Sequence, residues 1–448
     1  MPPTGIEIFK LLPKTNCGEC GVPTCLAFAM SLAAGKAELS ACPYISDEAR
    51  EKLDEASAPP IRPVTIGVGE RALKVGGETV MFRHEKRFEN PPGLAILISD
   101  TMAEDEVDSR LDRCQKLQYE RVGLTLRPEL VALKCDSGDA AKFEVLVAKV
   151  KQNSDCNIIL MSENPDILKA GLKACSDRKP LLYAATKDNV EQMAALAKDS
   201  SCPIAAKADG LDELAELTSK LTQSGIKDIV IDSGARTLRQ AFEDQIIIRR
   251  VALEKKFRPL GFPTIVFANE ISDGPMKEAM VAATFIAKYG GIIVLSDFQG
   301  ESLFPLLVLR MNIFTDPQRP LATTEGIYEI GGPDENSPVV LTSNFSLTYF
   351  IVSGEIENSR VPCYLLVRDT EGLSVMTAWA AGKFGSDTIA PFIKKCGIGD
   401  RVKHRKLVIP GYIAIESGGL EEELPGWEIM VGPREGAHIP AYLKAWKA

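Results

Sequence analysis

The sequence predicts a multidomain α/β protein, and three features of its 448 residues support this fold class. Four cysteines crowd into a short stretch near the start. Eight short apolar runs recur through the middle, and four more runs near the end are each followed by a loop of small residues. The length suits about three domains. We therefore expect a small helical domain, a (β/α)8 barrel and an open α/β sheet, in that order.

Composition narrows the class of protein and of partner. The net charge of -9 argues against nucleic acid as the main partner, because phosphate binding needs clustered lysine and arginine. No apolar run reaches the roughly 18 residues of a membrane span, and the first residues do not resemble a signal peptide. The 11 cysteines show no disulfide pattern, which predicts a reducing cytoplasm.

Residues 1–58 predict a small helical domain. Helical spacing is found in Gly5–Leu12, in Cys25–Gly35 and in the charged stretch Ser46–Ala56. A domain of so few residues buries too small a hydrophobic core to be stable on its own. We therefore expect a bound metal group to stabilise it. Its ligands would be Cys17, Cys20, Cys25 and Cys42, spaced C-x2-C-x4-C-x16-C.

This cysteine spacing favours an iron–sulfur cluster of the [4Fe–4S] type. Zinc ribbons usually pair two C-x2-C knuckles, whereas here one knuckle is followed by a wider gap and a distant Cys42 before Pro43. Zinc, and core cysteines without a ligand role, are the alternatives. Thr15, Asn16 and Gly18 would lie close enough to tune a cluster's potential by hydrogen bonding.

Residues 59–92 are predicted to be a linker that contains a β-hairpin. Residues 56–60 have the composition of a linker. Pro63–Lys74 and Thr79–Arg87 alternate apolar and polar residues around the turn residues Val75–Glu78. The sequence thus predicts a cluster domain that swings on the tether 57–63.

Residues 93–315 predict the barrel. The eight apolar runs are Leu94–Ser99, Leu130–Cys135, Ile158–Ser162, Leu181–Ala185, Ile204–Lys207, Ile229–Asp232, Thr264–Ala268 and Ile292–Ser296. Helical stretches lie between them, at Glu104–Val122, Ala140–Asn153, Val190–Asp199, Leu211–Gly225 and Pro275–Tyr289. Eight β-α repeats are the number in a (β/α)8 barrel, with a doubly wound open sheet as the alternative.

Polar residues at the ends of these runs would meet at the carboxyl face of a barrel. They are Asp100, Asp136, Ser162, Glu163, Asn164, Lys207, Asp232, Asn269 and Glu270. The region has no histidine and no metal triad, and polar run ends are also ordinary helix caps. We therefore predict no catalytic residues, and a barrel that serves as scaffold or docking surface.

Residues 316–448 predict an open parallel, Rossmann- or flavodoxin-like sheet after a Pro/Gly-rich boundary at 316–337. Its strands would be Val339–Thr342, Cys363–Arg368, Leu407–Ile409 and Trp427–Val431. Ligands of such sheets bind beyond the carboxyl ends of the strands, where loops 341–348, 369–375 and 432–438 would converge. The loops offer hydroxyls for a phosphate- or amide-bearing ligand, from Thr342, Ser343, Ser346, Thr348 and Ser374. A purely structural layer is the alternative.

The whole chain resembles the large (gamma) subunit family of corrinoid iron–sulfur proteins of the acetyl-CoA synthase/decarbonylase (Wood–Ljungdahl) pathway. The resemblance is carried by the motif Thr15–Cys25 with Cys42 and Pro43, by the eight β-α repeats, and by the loops Thr342–Ser346 and Thr370–Val375. It covers essentially the full length.

The resemblance implies a methyl carrier that does not catalyse alone. Co(I) of a cobamide would accept a methyl group from methyltetrahydrofolate through a partner methyltransferase, and methyl-Co(III) would deliver it to acetyl-CoA synthase. The cluster would return inactive Co(II) to Co(I) with an electron from a donor such as ferredoxin. A small subunit would complete a heterodimer. The implied cobamide-binding residues are Thr342, Thr348, Gly372, Leu373, Ser374, Val375, Gly436 and Ala437.

The histidines bear on how such a cobamide would be bound. The sequence lacks the Asp-x-His-x-x-Gly motif of many B12 modules, and its three histidines are His84, His404 and His438. We expect His84 and His404 to be solvated and His438 to lie in a ligand loop. A base-off cobamide without a histidine ligand is therefore implied. An iron–sulfur electron-transfer subunit without corrinoid, and a pterin-binding barrel methyltransferase, are the competing hypotheses.

Overall fold

A computed structural model describes residues 4–33, 36–37, 39–46, 49–50, 53, 58–121, 124–316 and 321–447. Most of the helix expected at Ser46–Ala56 lies outside these ranges. The chain forms two compact units. The barrel unit comprises residues 1–81, 89–115 and 128–306, and the C-terminal unit comprises 82–88, 116–127 and 307–448. Within the described ranges, no helix combines the length and the hydropathy needed to cross a membrane.

Two short helices near the start pack on each other, as expected. They are α1 (Gly5–Leu11) and α2 (Cys25–Ala33). Thr4 and Glu7 form a capping box at the start of α1, with the Thr4 N–H donating to Glu7 Oε2 at 2.7 Å. Ile8 and Phe28 are buried between the helices, together with Cys25 and Cys42.

All eight predicted runs form strands of one parallel sheet. They are β3 (Gly93–Ser99), β6 (Leu130–Lys134), β7 (Asn157–Met161), β8 (Leu181–Ala185), β9 (Ile204–Lys207), β10 (Ile229–Asp232), β11 (Ile265–Phe267) and β12 (Ile292–Leu295). The hydrogen-bonded order is β10-β9-β8-β7-β6-β3-β12-β11. A parallel bridge between Ile231 and Thr264 joins the two edges, so the sheet is a nearly closed barrel and the open-sheet alternative is wrong.

Helices follow most of these strands. They are α3 (Glu104–Lys116), α4 (Ala140–Asn153), α5 (Pro165–Cys175), α6 (Val190–Ser200), α7 (Leu211–Gln223), α8 (Leu238–Glu254), α9 (Ala268–Ile271), α10 (Pro275–Ala287) and α11 (Gly300–Ile313). The helix expected to run to Val122 ends at Lys116 instead. A short antiparallel pair follows it, β4 (Tyr119–Arg121) with β5 (Leu124–Leu126). Strand-like alternation in Leu124–Leu126 outweighs helix propensity there.

The hairpin before the barrel exists, but its predicted position was wrong. β1 (Val64–Ile66) pairs antiparallel with β2 (Leu73–Val75), and Thr79–Arg87 is not a strand. The chain turns early because Gly67 and Gly69 adopt positive φ angles, of 89° and 68°. The apolar residues of both strands are buried in the same core as the barrel interior, so the hairpin is part of that core.

The C-terminal unit contains the four predicted parallel strands and one that was missed. They are β14 (Val339–Ser343), β15 (Cys363–Arg368), β16 (Lys406–Ile409) and β17 (Glu428–Val431). The fifth strand, β13 (Gly326–Ile330), runs antiparallel to β15 at the edge, inside the segment expected to be only a boundary. The segments on either side of β13 are rich in proline and glycine. For this reason its apolar residues Ile327, Tyr328 and Ile330 were not recognised as part of a strand. The sheet order is β13-β15-β14-β16-β17.

Five helices accompany this sheet. They are α12 (Ser346–Ser359), α13 (Val375–Ala380), α14 (Ser386–Lys395), α15 (Ser417–Glu423) and α16 (Ile439–Lys444). Because β15 and β16 flank β14 on opposite sides, the connections that leave β14 and β15 diverge in direction. Such a point leaves a crevice beyond the carboxyl ends of β14 and β16.

Candidate functional site

Three of the four cysteines of the motif, Cys20, Cys25 and Cys42, belong to one small apolar cluster, and Cys17 lies outside it. Cys25 and Cys42 are buried, Cys20 is partly buried and Cys17 is exposed. Cys25 begins α2, and Cys42 follows a single 3-10 turn. The fold thus brings residues 25 apart in sequence into one unit, although the sequence between Cys20 and Cys25 forms no regular element.

Asn16 fixes the position of Cys25. Its N–H donates to Cys25 Sγ at 3.4 Å, and its Oδ1 accepts the N–H of Cys25 at 2.8 Å. Asn16 does this from a left-handed conformation with φ of 49°, which asparagine tolerates better than most residues. Gly18 and Gly21 are also left-handed, and the Gly21 N–H donates to the Gly18 oxygen at 3.0 Å, which closes the turn that carries Cys20.

A phenol–carboxylate pair ties the segment that carries Cys42 to the cysteine loop. The Tyr44 hydroxyl donates to Glu19 Oε1 at 2.8 Å. This hydrogen bond, with the charge of Glu19, raises the pKa of Tyr44 above its usual value. The contact spans 25 positions in the sequence, between the C-x2-C knuckle and the fourth cysteine.

The donor set of this unit is all thiol. Among the described residues, no group of three or more His, Cys, Asp or Glu side chains is arranged to hold a metal ion. The four ligands of a four-iron cluster bind four different irons, and so stand farther apart than the ligands of one ion. A donor set of thiols only, with three of them in an apolar cluster and one N–H donated to Cys25 Sγ, therefore fits an iron–sulfur group better than a single zinc ion.

A pocket of about 270 Å³ opens in the C-terminal unit at the predicted crevice. Its floor is formed by the ends of β14 and β16, at Val340–Thr342 and Val408–Pro410. Among the predicted ligand residues, Thr342, Thr348, Ser374, Val375 and Gly436 line this pocket, whereas Gly372, Leu373 and Ala437 do not. The three predicted loops therefore converge, as parallel strands require.

Three buried hydroxyls at the end of β14 have no hydrogen-bond partner among the described residues. They are Thr342 Oγ1, Ser343 Oγ and Ser346 Oγ. All three side chains are at most 5% exposed, and Thr342 lines the pocket. A buried polar atom without a partner costs about 1–3 kcal/mol. Such a cost is recovered when a polar ligand binds, so this end of the sheet is built for an occupant with hydrogen-bonding groups.

The loop after β15 is held by a side chain from the loop after β14. Asn344 Oδ1 accepts the N–H groups of Thr370 and Gly372, both at 2.9 Å. Gly372 is thus engaged behind the pocket wall, and Leu373 packs in the adjacent apolar core. This explains why the two residues are close to the pocket without lining it.

The side of the pocket formed by the loops after β16 and β17 consists of closely packed backbone. A side chain at Gly411 would place its Cβ 2.6 Å from the Gly432 oxygen, and one at Gly432 would lie 2.8 Å from Val408. Tyr412, which lines the pocket, donates its hydroxyl to Glu435 Oε1 at 2.6 Å. Sequence reasoning missed Tyr412 and the neighbouring Pro410. Their place directly after the end of β16 was the available signal.

The rim of this pocket is unusually apolar. Large hydrophobic side chains at least one-third exposed occur on the elements around it, namely Leu347, Phe350, Ile351, Met376, Trp379, Tyr412, Ile415 and Val431. Ile351, Met376 and Tyr412 line the pocket itself. An exposed apolar rim around a floor that is apolar except for Thr342 suits a large, mainly apolar ligand or a partner surface.

The mouth of the barrel is a second cavity, of about 560 Å³, at the carboxyl ends of its strands. Its charges are paired with one another. Asp232 accepts the Tyr183 hydroxyl at 2.7 Å and two Arg236 nitrogens at 3.1 and 2.9 Å, and Arg236 also binds Glu270. Burial raises the pKa of Tyr183 well above its usual value. A second pair, Lys207 with Glu163, is 2.7 Å long.

Asp100 and Asp136 accept hydrogen bonds from residues at the mouth of the barrel. Asp100 accepts the N–H groups of Asp136 and Ser137 at 2.9 and 3.0 Å. Asp136 accepts the Ser99 hydroxyl at 2.6 Å and pairs with Lys134 at 2.8 Å. These predicted strand-end carboxylates are therefore used in ordering the loop after β6.

None of the three histidines lines the pocket of the C-terminal unit. His84 and His438 are exposed. The expectation of a solvated His404 was wrong, because its Nε2 lies 2.9 Å from the Ser337 oxygen and its Nδ1 accepts the N–H of Lys406. The ring also packs edge-on against Trp446, which makes His404 part of the sheet's support.

Two sequence-family models match the chain. One, described as the CO dehydrogenase/acetyl-CoA synthase delta subunit, matches residues 63–443. The other, described as a putative Fe-S cluster, matches residues 12–44 and so contains all four cysteines of the motif.

Full-length relatives carry related descriptions. The corrinoid/iron-sulfur protein large subunit of Moorella thermoacetica is 47% identical over 445 residues, 99% of each chain. The acetyl-CoA decarbonylase/synthase complex subunit gamma of Methanopyrus kandleri is 37% identical, over 98% of this chain and 97% of the relative. Among solved structures, a dihydropteroate synthase of Coxiella burnetii shares 11% identity over 56% of this chain and 99% of its own, at a TM-score of 0.37, which is too low to support an argument.

Proposed function

This chain belongs to the family of corrinoid/iron–sulfur protein large subunits and acetyl-CoA decarbonylase/synthase gamma subunits, and on that premise we propose that it is a methyl carrier. The carrier would receive a methyl group from methyltetrahydrofolate through a methyltransferase and deliver it to acetyl-CoA synthase. When bound, a corrinoid supplies the cobalt that accepts and releases the methyl group, and a [4Fe–4S] cluster supplies the single electrons that restore inactive cobalt.

The pocket of the C-terminal unit would hold the corrinoid. Corrin rings carry amide side chains at their edge and an apolar macrocycle face. The partnerless hydroxyls of Thr342, Ser343 and Ser346 offer hydrogen bonds to such amides. Ile351 and Met376 offer apolar contact to the ring. The parallel strands have the order 2-1-3-4 of flavodoxin-like sheets, whose ligands bind at this same crevice.

The lower face of the corrinoid would be bound without a protein imidazole. No histidine lines the pocket, and the ring of His404 is engaged elsewhere. No residue lining this pocket would supply an imidazole to the cobalt, and ligand identity is one of the protein's main controls on a metal cofactor. The base-off form, in which the cobamide's own lower base does not bind the cobalt, is a further part of this proposal.

The cluster would be held by Cys17, Cys20, Cys25 and Cys42. The hydrogen bond from the Asn16 N–H to Cys25 Sγ would stabilise the reduced state of the cluster. Part of the predicted tether 57–63 is held by hydrogen bonds. Arg258 on the barrel donates to the oxygens of Ala58 and Pro59, and the Arg62 N–H donates to the Gly261 oxygen. That the cluster domain swings on this tether stays a prediction.

The proposed partners follow from the same function. The relative named a large subunit implies a small subunit, and the apolar rim offers a surface for it above the pocket. The methyltransferase, acetyl-CoA synthase and a ferredoxin-type donor would dock in turn. The reducing cytoplasm is the location proposed for the chain, because its 11 cysteines show no disulfide pattern in the sequence.

The partnerless hydroxyl of Thr342 in the pocket, with those of Ser343 and Ser346 nearby at the end of β14, is the observation that carries this proposal. The test is metal analysis of the full chain purified without oxygen from a corrinoid-producing host. One cobalt and about four irons per chain are expected, the latter from a cluster of this type. Iron without cobalt would favour an electron-transfer subunit and overturn the methyl-carrier function.

A further inference from the structure

We propose that Asn344 is the residue that positions the pocket's β14 and β15 loops for the corrinoid. This role rests on the proposed function. Asn344 is 4% exposed and does not line the pocket, so it acts through the residues that it holds. It directly follows β14, next to the partnerless hydroxyl of Ser343.

Four hydrogen bonds of one side chain join the two loops. Asn344 Oδ1 accepts the N–H of Thr370, the hydroxyl of Thr370 and the N–H of Gly372, each at 2.9 Å. Its Nδ2 donates to Asp369 Oδ1 at 2.8 Å. Both hydrogen-bonding ends of the amide are therefore used, over separations of 25 to 28 residues.

The loop that Asn344 holds has a conformation it would not maintain easily alone. Glu371 and Gly372 both have left-handed φ angles, of 56° and 76°. A non-glycine residue in this region is strained, and needs neighbours that fix it. Thr370 Oγ1 also lies 2.8 Å from the Leu373 oxygen, so its single proton is shared between that oxygen and Asn344 Oδ1, and either contact closes the turn.

This turn determines where the pocket-lining residues lie. Ser374 follows it directly and precedes α13, and Val375 begins that helix. Both line the pocket. Moving the turn would therefore move the Ser374 hydroxyl relative to Thr342 on the neighbouring strand, and with it the set of groups offered to one ligand.

The main chain of Asn344 adds a third segment to the assembly. Its N–H donates to the Arg368 oxygen at 2.9 Å, which extends the pairing of β14 with β15 by one step. Its oxygen accepts the N–H of Thr323 at 2.8 Å. The strand end is thus braced from two sides, so a change in the Asn344 side chain is expected to release the β15 loop and leave β14 in place.

The amide chemistry explains why asparagine is needed here. A carboxylate of the same shape would lose the donor to Asp369 and set two carboxylates face to face, which disfavours both charges. A hydroxyl side chain is too short to reach three donors, and an alanine would leave buried Thr370 and Gly372 amides unpaired.

The experiment compares full-length wild type, Asn344→Ala and Thr370→Val, prepared without corrinoid and titrated anaerobically with cobinamide. Thr370→Val removes the hydroxyl partner of Asn344 and keeps the side-chain shape. Asn336→Ala is the matched control, because Asn336 is an exposed asparagine in the same unit. The readouts are the dissociation constant, the visible circular dichroism of bound cobinamide, and the unfolding midpoint of the free chain.

We expect at least tenfold weaker binding for Asn344→Ala and severalfold for Thr370→Val, with an altered dichroism spectrum at saturation in both. A merely structural role would lower the unfolding midpoint and leave the spectrum of the bound form unchanged, and that result would overturn the proposal. If Asn344→Ala does not fold, Thr370→Val decides by the same criteria. Failure of the wild type to bind cobinamide would instead refute the corrinoid function, and this role with it.

Discussion

The pocket of the C-terminal unit and the mouth of the barrel occupy equivalent places, each at the carboxyl ends of parallel strands, yet they differ in hydrogen-bonding state. At the end of β14, three buried hydroxyls lack partners among the described residues, and one of them, that of Thr342, lines the pocket. At the mouth, Asp232 is bound by Tyr183 and Arg236, although Asn269 Oδ1 after β11 also has no partner in the described part of the chain. Position in a fold thus identifies where a ligand could bind, and a partnerless polar group that lines a cavity adds a reason for one to bind there.

The energetic consequence is opposite in the two places. Removing a partner from the mouth leaves a buried carboxylate unpaired, since the Asp232 side chain is only 3% exposed. Removing a hydroxyl from the pocket deletes a group that has no partner in the free chain. The mouth is therefore expected to contribute to stability, and the pocket to binding.

The largest effect is expected at the mouth. Arg236→Ala should reduce the free energy of unfolding by about 3 kcal/mol, because it leaves the charge of Asp232 buried without its cation. Urea unfolding of the free chain measures this loss. Cobinamide binding by the folded fraction should be unchanged, and weaker binding would mean that the mouth contributes to the corrinoid site after all.

A smaller effect is expected in the pocket, where the substitution should not lower the free energy of unfolding of the free chain. Thr342→Val should weaken cobinamide binding about tenfold, and should leave the free chain as stable or about 1 kcal/mol more stable. Titration and urea unfolding measure the two quantities. A destabilised free chain would show that Thr342 Oγ1 has a partner there, and the contrast between the two places would fail.

The smallest effect is expected for the outer pair of the mouth. Lys207→Met breaks a 2.7 Å ion pair whose two side chains are 32% and 53% exposed. Exposed pairs contribute about 0.2–1 kcal/mol, so the change in unfolding free energy should stay within that range. A loss comparable to that of Arg236→Ala would show that the whole mouth acts as one coupled network.

The sequence was most informative where local pattern and burial coincide. The eight barrel strands and the four parallel strands of the C-terminal sheet were predicted because strands buried on both faces are continuous apolar runs. The cysteine spacing predicted an iron–sulfur unit, which the family match over residues 12–44 supports. The resemblance to the large-subunit family is confirmed by the full-length relatives.

The prediction was weaker where turns and edges decide the structure. The hairpin was placed too late because Gly67 and Gly69 turn the chain before Val75. β13 was missed because it is short and half-exposed, so its residues carry only a faint alternation. β1 pairs with β2 across a short turn, so the error there lay in locating the turn, whereas β13 pairs with β15, more than 30 residues further along the chain.

By itself, the sequence determined the strands of the barrel and the four parallel strands of the last sheet, where the thiols are grouped, and which three loops meet at one end of that sheet. Only the tertiary structure decided which polar groups in those places are satisfied. Tyr183 meets Asp232 across 49 residues, and Asn344 meets Gly372 across 28. Hydrogen bonds depend on contacts between distant residues, whereas periodicity reports only near neighbours, so the ligand-ready pocket and the self-paired mouth become distinguishable in the folded chain.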